Sequence, residues 1–355
     1  MDRVQFQVNG VDHTVGCELS SNVTLLEYLR RWLELRGTKY MCQEAGCGAC
    51  IVSVVKCPGG PAESVNACMV LITSCHGWEI TTIEKVGNRL EGYHPLQKAL
   101  YENNGTQCGY CSPGWVMAMY SLLKKKKMTM LEIEKSLASN ICRCTGYRPI
   151  LEAFKKFASD SPDPYLIADI EDLSICSKTG EACSQTCEDY EWCVVNKEDV
   201  KYPTLLHIKL SDNRDWYRVE DITDVFKILN LYRTDSYMLI GGNTAKGVYP
   251  ILEYPRVLID VSSVAALKGY YLQQNLVVGA GNTLTELDEI FSQMSQHDDF
   301  RYLTVLQEHL KLVAHIPVKN IGTIAGNLMI KHKHKEFNSD IFLLFNTIGA
   351  EIGVY

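Results

Sequence analysis

Val4, Phe6 and Val8 alternate with polar neighbours, Asn9-Gly10 marks a tight turn, and His13-Thr14-Val15 returns, which together predict a β-hairpin. Thr24 to Leu33 has the apolar spacing of an amphipathic helix. Ile51 to Val55 and Ala67 to Ile72 read as strands. From His94 the helical period takes over. His94-Pro95 opens a helix through Leu96, Ala99 and Leu100, and a longer one runs from Pro113 through Val116, Met119, Tyr120 and Leu123 to the Lys124–Lys127 run. Leu131, Ile133 and Leu137 suggest a third helix, and Pro149 to Phe157 a fourth. Asp160-Ser161-Pro162-Asp163-Pro164 ends this pattern, and an acidic, polar stretch of linker composition follows as far as Lys201. Beyond Pro203 the periods mix. Val219 to Tyr232 and Thr285 to Phe291 read as helices, Tyr237 to Ile240, Val257 to Asp260 and Leu276 to Gly281 as strands, and Asp340 begins a further helix. The organisation expected is a mixed first domain over residues 1–90, a helical domain over 91–160, a linker over 161–200 and an α+β domain over 201–355.

Composition narrows the class. With 355 residues the chain is long enough for two or three domains, and a hydrophobic fraction of 46% is that of globular protein. A net charge of -7 gives no reason to expect nucleic acid as a partner. Fifteen cysteines would suit a disulfide scaffold, but the N-terminus enters a strand pattern directly, with no apolar leader. A reducing, cytoplasmic setting with metal-bound thiolates explains them better. No run of about twenty apolar residues predicts a membrane span.

The cysteines fall into sets. Cys42-x4-Cys47-x2-Cys50, with Cys68 placed to return as the fourth ligand, has the spacing of a plant-type 2Fe-2S site. Gly46 and Gly48 suit a loop that must turn tightly and bring backbone N–H groups near sulfides. Cys108-x2-Cys111 and Cys142-x-Cys144 each stand immediately before a helix, whose N–H groups would offset thiolate charge. Their spacing alone admits iron–sulfur or zinc, although Cys142-Arg143-Cys144 is tight for structural zinc. Cys17, Cys57 and Cys75 fit no ligand spacing and read as structural. Cys176, Cys183, Cys187 and Cys193 are loosely spaced in the linker and read as surface residues.

Further on, Leu239-Ile240 runs into Gly241-Gly242-Asn243-Thr244-Ala245-Lys246-Gly247. A strand entering such a turn is a candidate diphosphate cradle, because backbone N–H groups approach a ligand only where side chains are small. It is not the GxGxxG fingerprint. Ile321-Gly322-Thr323-Ile324-Ala325-Gly326-Asn327 is a second small-residue turn.

Both cysteine motifs, in this order, resemble the paired 2Fe-2S region of the molybdenum hydroxylases, the xanthine dehydrogenase and aldehyde oxidase family. The resemblance implies an α+β multidomain chain: a β-grasp ferredoxin-like domain, a four-helix 2Fe-2S-binding domain, then a partial FAD-binding domain. It implies that Cys42, Cys47, Cys50 and Cys68 ligate one cluster and Cys108, Cys111, Cys142 and Cys144 the other. Gln107 would face the molybdopterin cofactor. Leu239 to Gly247 resembles the first flavin-diphosphate loop, Asn320 to Asn327 the second, with Gly322, Thr323, Gly326 and Asn327 as contacts. Ser339-Asp340 resembles a nearby pair whose aspartate touches flavin. Lys246 departs from the family's usual hydrophobic or different polar residue, and Ala325 replaces a glycine. The basic Lys331-His332-Lys333-His334-Lys335 insertion, expected as an exposed loop, resembles aldehyde-oxidase-type members, particularly insect ones.

In the family, oxygen from water is added to an aldehyde or N-heterocycle at molybdenum, and electrons pass through the helical-domain cluster and the ferredoxin-like cluster to FAD, then to O2 or NAD. The resemblance implies molybdopterin domains beyond Tyr355, in the same chain or a separate subunit, and a homodimer when complete. Gly353 to Tyr355 reads as a strand of an unfinished flavin domain, as in a fragment. The alternatives are a xanthine-dehydrogenase-like member, a separate iron–sulfur and FAD subunit, or a non-catalytic zinc or interaction protein.

Overall fold

The computed structural model describes residues 2–125, 127–161, 205–233 and 235–353. The linker cysteines Cys176, Cys183, Cys187 and Cys193 lie outside the described residues, as does most of the expected linker. Among the described residues, no helix is long and apolar enough to cross a membrane.

The first unit is a sheet of five strands, β1 (Val4–Val8), β2 (Val11–Val15), β3 (Ile51–Val55), β4 (Glu63–Asn66) and β5 (Glu79–Thr81), ordered β2-β1-β5-β3-β4. β1 and β2 form the expected hairpin, with Asn9 and Gly10 both at positive φ, the geometry that matches the twist of the strands. Thr24 caps α1 (Leu25–Glu27), which loosens into a π-helical turn over Tyr28–Trp32 rather than staying α-helical.

The strand expected over Ala67 to Ile72 does not form there. β4 ends at Asn66, and Ala67 to Leu71 turns before a 3-10 helix over Ile72–Cys75. All six of these residues are buried, and an unbroken apolar run has no period to separate strand from buried turn.

Helices α2 (Ile83–Val86), α3 (Pro95–Glu102), α4 (Ser112–Lys125), α5 (Met130–Ser136) and α6 (Arg148–Lys155) follow. His94 and Gln97 form a capping box on α3, and Thr129 and Glu132 one on α5. α4 is buried nearly all round: Trp115, Val116, Met117, Ala118 and Met119 pack with Leu100, Ile133, Ile150 and Phe154, and with Ile51 of β3. Each fully buried side chain of this size contributes about 1.5–3 kcal/mol.

The third unit carries a sheet of β6 (Leu206–Lys209), β7 (Asp215–Arg218), β8 (Tyr237–Ile240) and β9 (Val257–Asp260), ordered β6-β7-β9-β8, with β7, β9 and β8 mutually parallel. α7 (Ile222–Tyr232) crosses from β7 to β8. Leu276 to Gly281 supplies only the short β11 (Leu276–Val278), paired with β10 (Tyr270–Leu272) apart from the main sheet. Helices α8 (Leu284–Met294), α9 (Leu303–Leu312), α10 (Ile316–Lys319), α11 (Ile324–Lys333) and α12 (Asp340–Thr347) complete the described chain.

The turn expected through Asn327 is shorter than its sequence suggested, because Thr323 caps α11 and draws Ala325, Gly326 and Asn327 into a helix. The basic run is likewise no loop. Lys331, His332 and Lys333 occupy the last turn of α11, where cations suit the helix carbonyl end.

First and third units share one core. Leu206, Ile208, Trp216, Leu258 and Ile321 pack in the same cluster as Val4, Phe6, Leu25 and Met69. That common core fixes the cysteine loops relative to the glycine turns.

Candidate redox-cofactor sites

The eight expected thiols gather as two sets of four. In the first, Cys50 lies against Cys68, with its thiol directed at Asn66 Oδ1 at 3.8 Å, and Cys42 lies against Cys47. Cys50 is pushed well above the usual thiol range, first by that pairing and then by burial. Cys68 is held low, first by the Cys50 thiol and also by the N–H groups of Ala45 and of Cys68 itself. Burial raises Cys47 against the opposing N–H groups of Cys42 and Ala49. The loop delivers these amides because Gln43, Ala45 and Gly48 all take positive φ.

In the second set, Cys111 pairs with Cys142 and Cys108 with Cys144. Burial and the Cys142 thiol push Cys111 up to about 12, so the start of α4 does not hold it low as expected. Cys142 is held low instead: burial raises it, but the Thr145 hydroxyl at 3.1 Å and the N–H groups of Thr145 and Cys144 outweigh that. Cys111 and Cys142 form the closed side, while Cys108 and Cys144 are exposed beside exposed Gln107 and Tyr110.

No disulfide joins any of these. Thiols arranged two and two fit a pair of bridged irons better than a tetrahedral zinc ion. Of the cysteines expected to be structural, Cys75 is buried with its thiol raised chiefly by burial, whereas Cys17 and Cys57 are exposed.

The two sets meet through backbone. Ile141 N–H donates to the Cys47 carbonyl at 2.9 Å, and the Asn140 side chain donates to the Gly48 carbonyl at 3.2 Å. A Cβ on Gly114 would stand 2.3 Å from the Gly48 oxygen, so that glycine permits the approach.

A cavity of about 470 Å³ lies between the first and third units. Gly241, Gly242, Asn243, Ile321 and Thr323, from the two glycine turns, line it. Gly242 packs on Ile321, and Gly322 on Thr244. Arg218, Ser262, Ser263 and Lys268 line it too and were missed in the sequence. They follow or end parallel strands, and the cavity opens at the carboxyl ends of β7, β8 and β9, where open sheets bind ligands. Only the sheet order reveals that signal. Lys268 there is paired with Glu286 at 2.8 Å, so the small-residue turns and Arg218 are the features that fit a diphosphate-bearing flavin.

The other expected flavin contacts lie elsewhere. Ile240 is buried in the shared core and Leu239 is exposed on the edge strand β8. Thr244, Ala245, Lys246 and Gly247 do not line the cavity: Thr244 lies against Gly322, and Gly247 against Glu44 of the first cysteine loop. Gly326 and Asn327 sit in the first turn of α11, where Asn327 accepts from Ser339. Asp340 is exposed, 3.8 Å from His309.

Three family models match in chain order: a 2Fe-2S iron-sulfur cluster binding domain over residues 6–73, a 2Fe-2S binding domain over 82–155, and an FAD binding domain in molybdopterin dehydrogenase over 209–355. Probable aldehyde oxidase 4 of Oryza sativa subsp. japonica is 31% identical across 100% of this chain and 46% of its own length. Xanthine dehydrogenase 2 of Arabidopsis thaliana is 35% identical across 90% of this chain and 27% of its own. Among solved structures, the aldehyde oxidoreductase from Desulfovibrio gigas aligns with 47% of this chain and 18% of its own, at 33% identity and a TM-score of 0.40. The chain thus spans less than half the length of these curated relatives.

Proposed function

We propose that this chain, which belongs to the xanthine dehydrogenase and aldehyde oxidase family as a counterpart of its N-terminal region, is the electron-relay portion of an aldehyde-oxidase-like molybdenum hydroxylase. The carrying observation is the juxtaposition of two thiol tetrads through Ile141 and Cys47, with a glycine-lined cavity beside the first. When bound, two 2Fe-2S centres and FAD supply one- and two-electron redox chemistry.

The chain's own residues hold and orient. Cys42, Cys47, Cys50 and Cys68 would ligate one centre, Cys108, Cys111, Cys142 and Cys144 the other. Turn amides of Ala45, Ala49, Cys144 and Thr145 donate to sulfur and favour the thiolate form. Gly241, Gly242, Asn243 and Thr323, with Arg218, would receive the flavin diphosphate. The exposed Cys108 and Cys144 edge, with Gln107, would face the molybdopterin domain of the complete protein, supplied in the same chain or by another subunit. We read the location as cytoplasmic because every described cysteine is free, and the complete protein as a homodimer. The domain limits proposed stay at residues 90, 160 and 200. The insect likeness rests on the basic end of α11 alone.

Purified chain should carry about four irons and one flavin with the visible bands of oxidised 2Fe-2S centres. Colourless protein containing zinc would overturn the reading. The xanthine-dehydrogenase-like alternative is favoured by the higher identity, 35% against 31%. Turnover of the complete protein on xanthine rather than on aldehydes would select it.

A further inference from the structure

We propose that Lys246, although it stands in the flavin-loop sequence, serves the first cysteine set: its ammonium charge lies on the Cys68 side of the loop and raises the reduction potential of the centre held there. The inference rests on the iron–sulfur reading above.

The backbone divides the loop between two tasks. Gly241, Gly242 and Asn243 line the cavity, but Asn243 takes the left-handed conformation, φ 55, and a 3-10 turn over Thr244–Gly247 carries the chain away. That turn lands on the cysteine loop. A Cβ on Gly247 would stand 2.8 Å from the Glu44 carbonyl oxygen and 3.5 Å from Met69 Sδ, and Asn243 Nδ2 donates to the Met69 carbonyl at 3.4 Å. Glu44 lies between ligands Cys42 and Cys47, and Met69 follows Cys68.

Lys246, between these two contacts, is half-buried and does not line the cavity. Burial disfavours its charge, while Cys68 and, after it, Glu27 attract it. A hydrophobic side chain at this position would supply no such charge.

The consequence follows from charge. Four thiolates outweigh the positive charge of two irons bridged by sulfides, so the site is anionic, and reduction adds one further negative charge. A fixed cation close by stabilises the reduced form more than the oxidised one. Partial burial leaves this interaction less screened than a surface pair. The same loop carries the flavin cradle, so one rigid turn sets both the flavin position and the charge beside its neighbouring centre.

The test uses the full chain, with redox titration followed by EPR, the two centres being assigned with Cys68→Ser and Cys142→Ser controls. Lys246→Met should lower the reduction equilibrium constant of the first centre about tenfold, or about 59 mV for one electron. The second centre and the flavin content should stay unchanged, and Lys246→Arg should restore the potential. Unmoved potentials with both centres assembled would overturn the proposal. So would loss of flavin at constant potential, because Lys246 would then serve the diphosphate. Absence of iron from the unsubstituted chain would instead overturn the iron–sulfur reading beneath it.

Discussion

Gly242 and Ile321 touch backbone to backbone: a Cβ built on Gly242 would stand 1.6 Å from the Ile321 carbonyl oxygen. Neither atom belongs to a flexible side chain, so nothing there can give way. Gly242→Ala should separate the two glycine turns and reshape the cavity they line, at a cost of about 3 kcal/mol. The expected outcome is loss of bound flavin with both iron–sulfur spectra retained, read from flavin and iron content of the same preparation. Full flavin occupancy would refute the assigned cradle.

Gly114 holds the equivalent position between the cysteine sets, 2.3 Å from the Gly48 oxygen when a Cβ is added. Gly114→Ala should push α4 away from the first loop and strain the Ile141 to Cys47 hydrogen bond. Both centres should still assemble, with weaker magnetic coupling between them by EPR. Unaltered coupling would show that the contact does not set their separation.

Asn320 ties the third unit to the first. Its side chain donates to the Ser64 carbonyl at 2.8 Å and accepts from Thr285 Oγ1 at 2.7 Å, and its own carbonyl accepts from Lys56. The residue is buried, so Asn320→Ala should leave the Ser64 oxygen and the Thr285 hydroxyl without their partner, costing about 1–3 kcal/mol. Urea unfolding followed by flavin fluorescence should show the midpoint falling. An unchanged midpoint would mean water replaces the amide at no cost.

His94 makes stability depend on pH. Burial first, and Lys124 second, lower it from 6.5 to about 4, and its ring accepts from Leu96 N–H at the start of α3. A folded value below the unfolded one means that the unfolded chain binds the proton more readily. The contribution is therefore full above about pH 6.5 and is lost as pH falls toward about 4. With the ring partly exposed, it amounts to about 2 kcal/mol at most. His94→Asn retains a capping acceptor without titrating, so the difference in Tm between variant and parent should shrink steadily from pH 6.5 to 4. A constant difference would remove His94 from the acid response.

Where side-chain spacing reports local geometry, the sequence was legible. Cys42, Cys47 and Cys50 share one loop, and each partner of the second set stands two or three residues from another. His94-Pro95 and Ser339-Asp340 mark helix starts for equally local reasons. Reading failed where burial is continuous, as from Ala67 to Ile72, and where a cap reaches forward, as Thr323 does into Gly326.

The sequence by itself determined how the cysteines are spaced along the chain, where several helices start, and where two small-residue turns fall. Short-range backbone geometry is enough to specify these features. Only the tertiary structure decided that Arg218 and Ser262 join those turns, because sheet order brings the ends of β7, β8 and β9 together. It also decided that Asn243 and Gly247 set the far end of that loop against Met69 and Glu44, beside the first cysteine set. Packing of the shared core sets that apposition, and no local pattern encodes which side of a loop meets a partner distant in the chain.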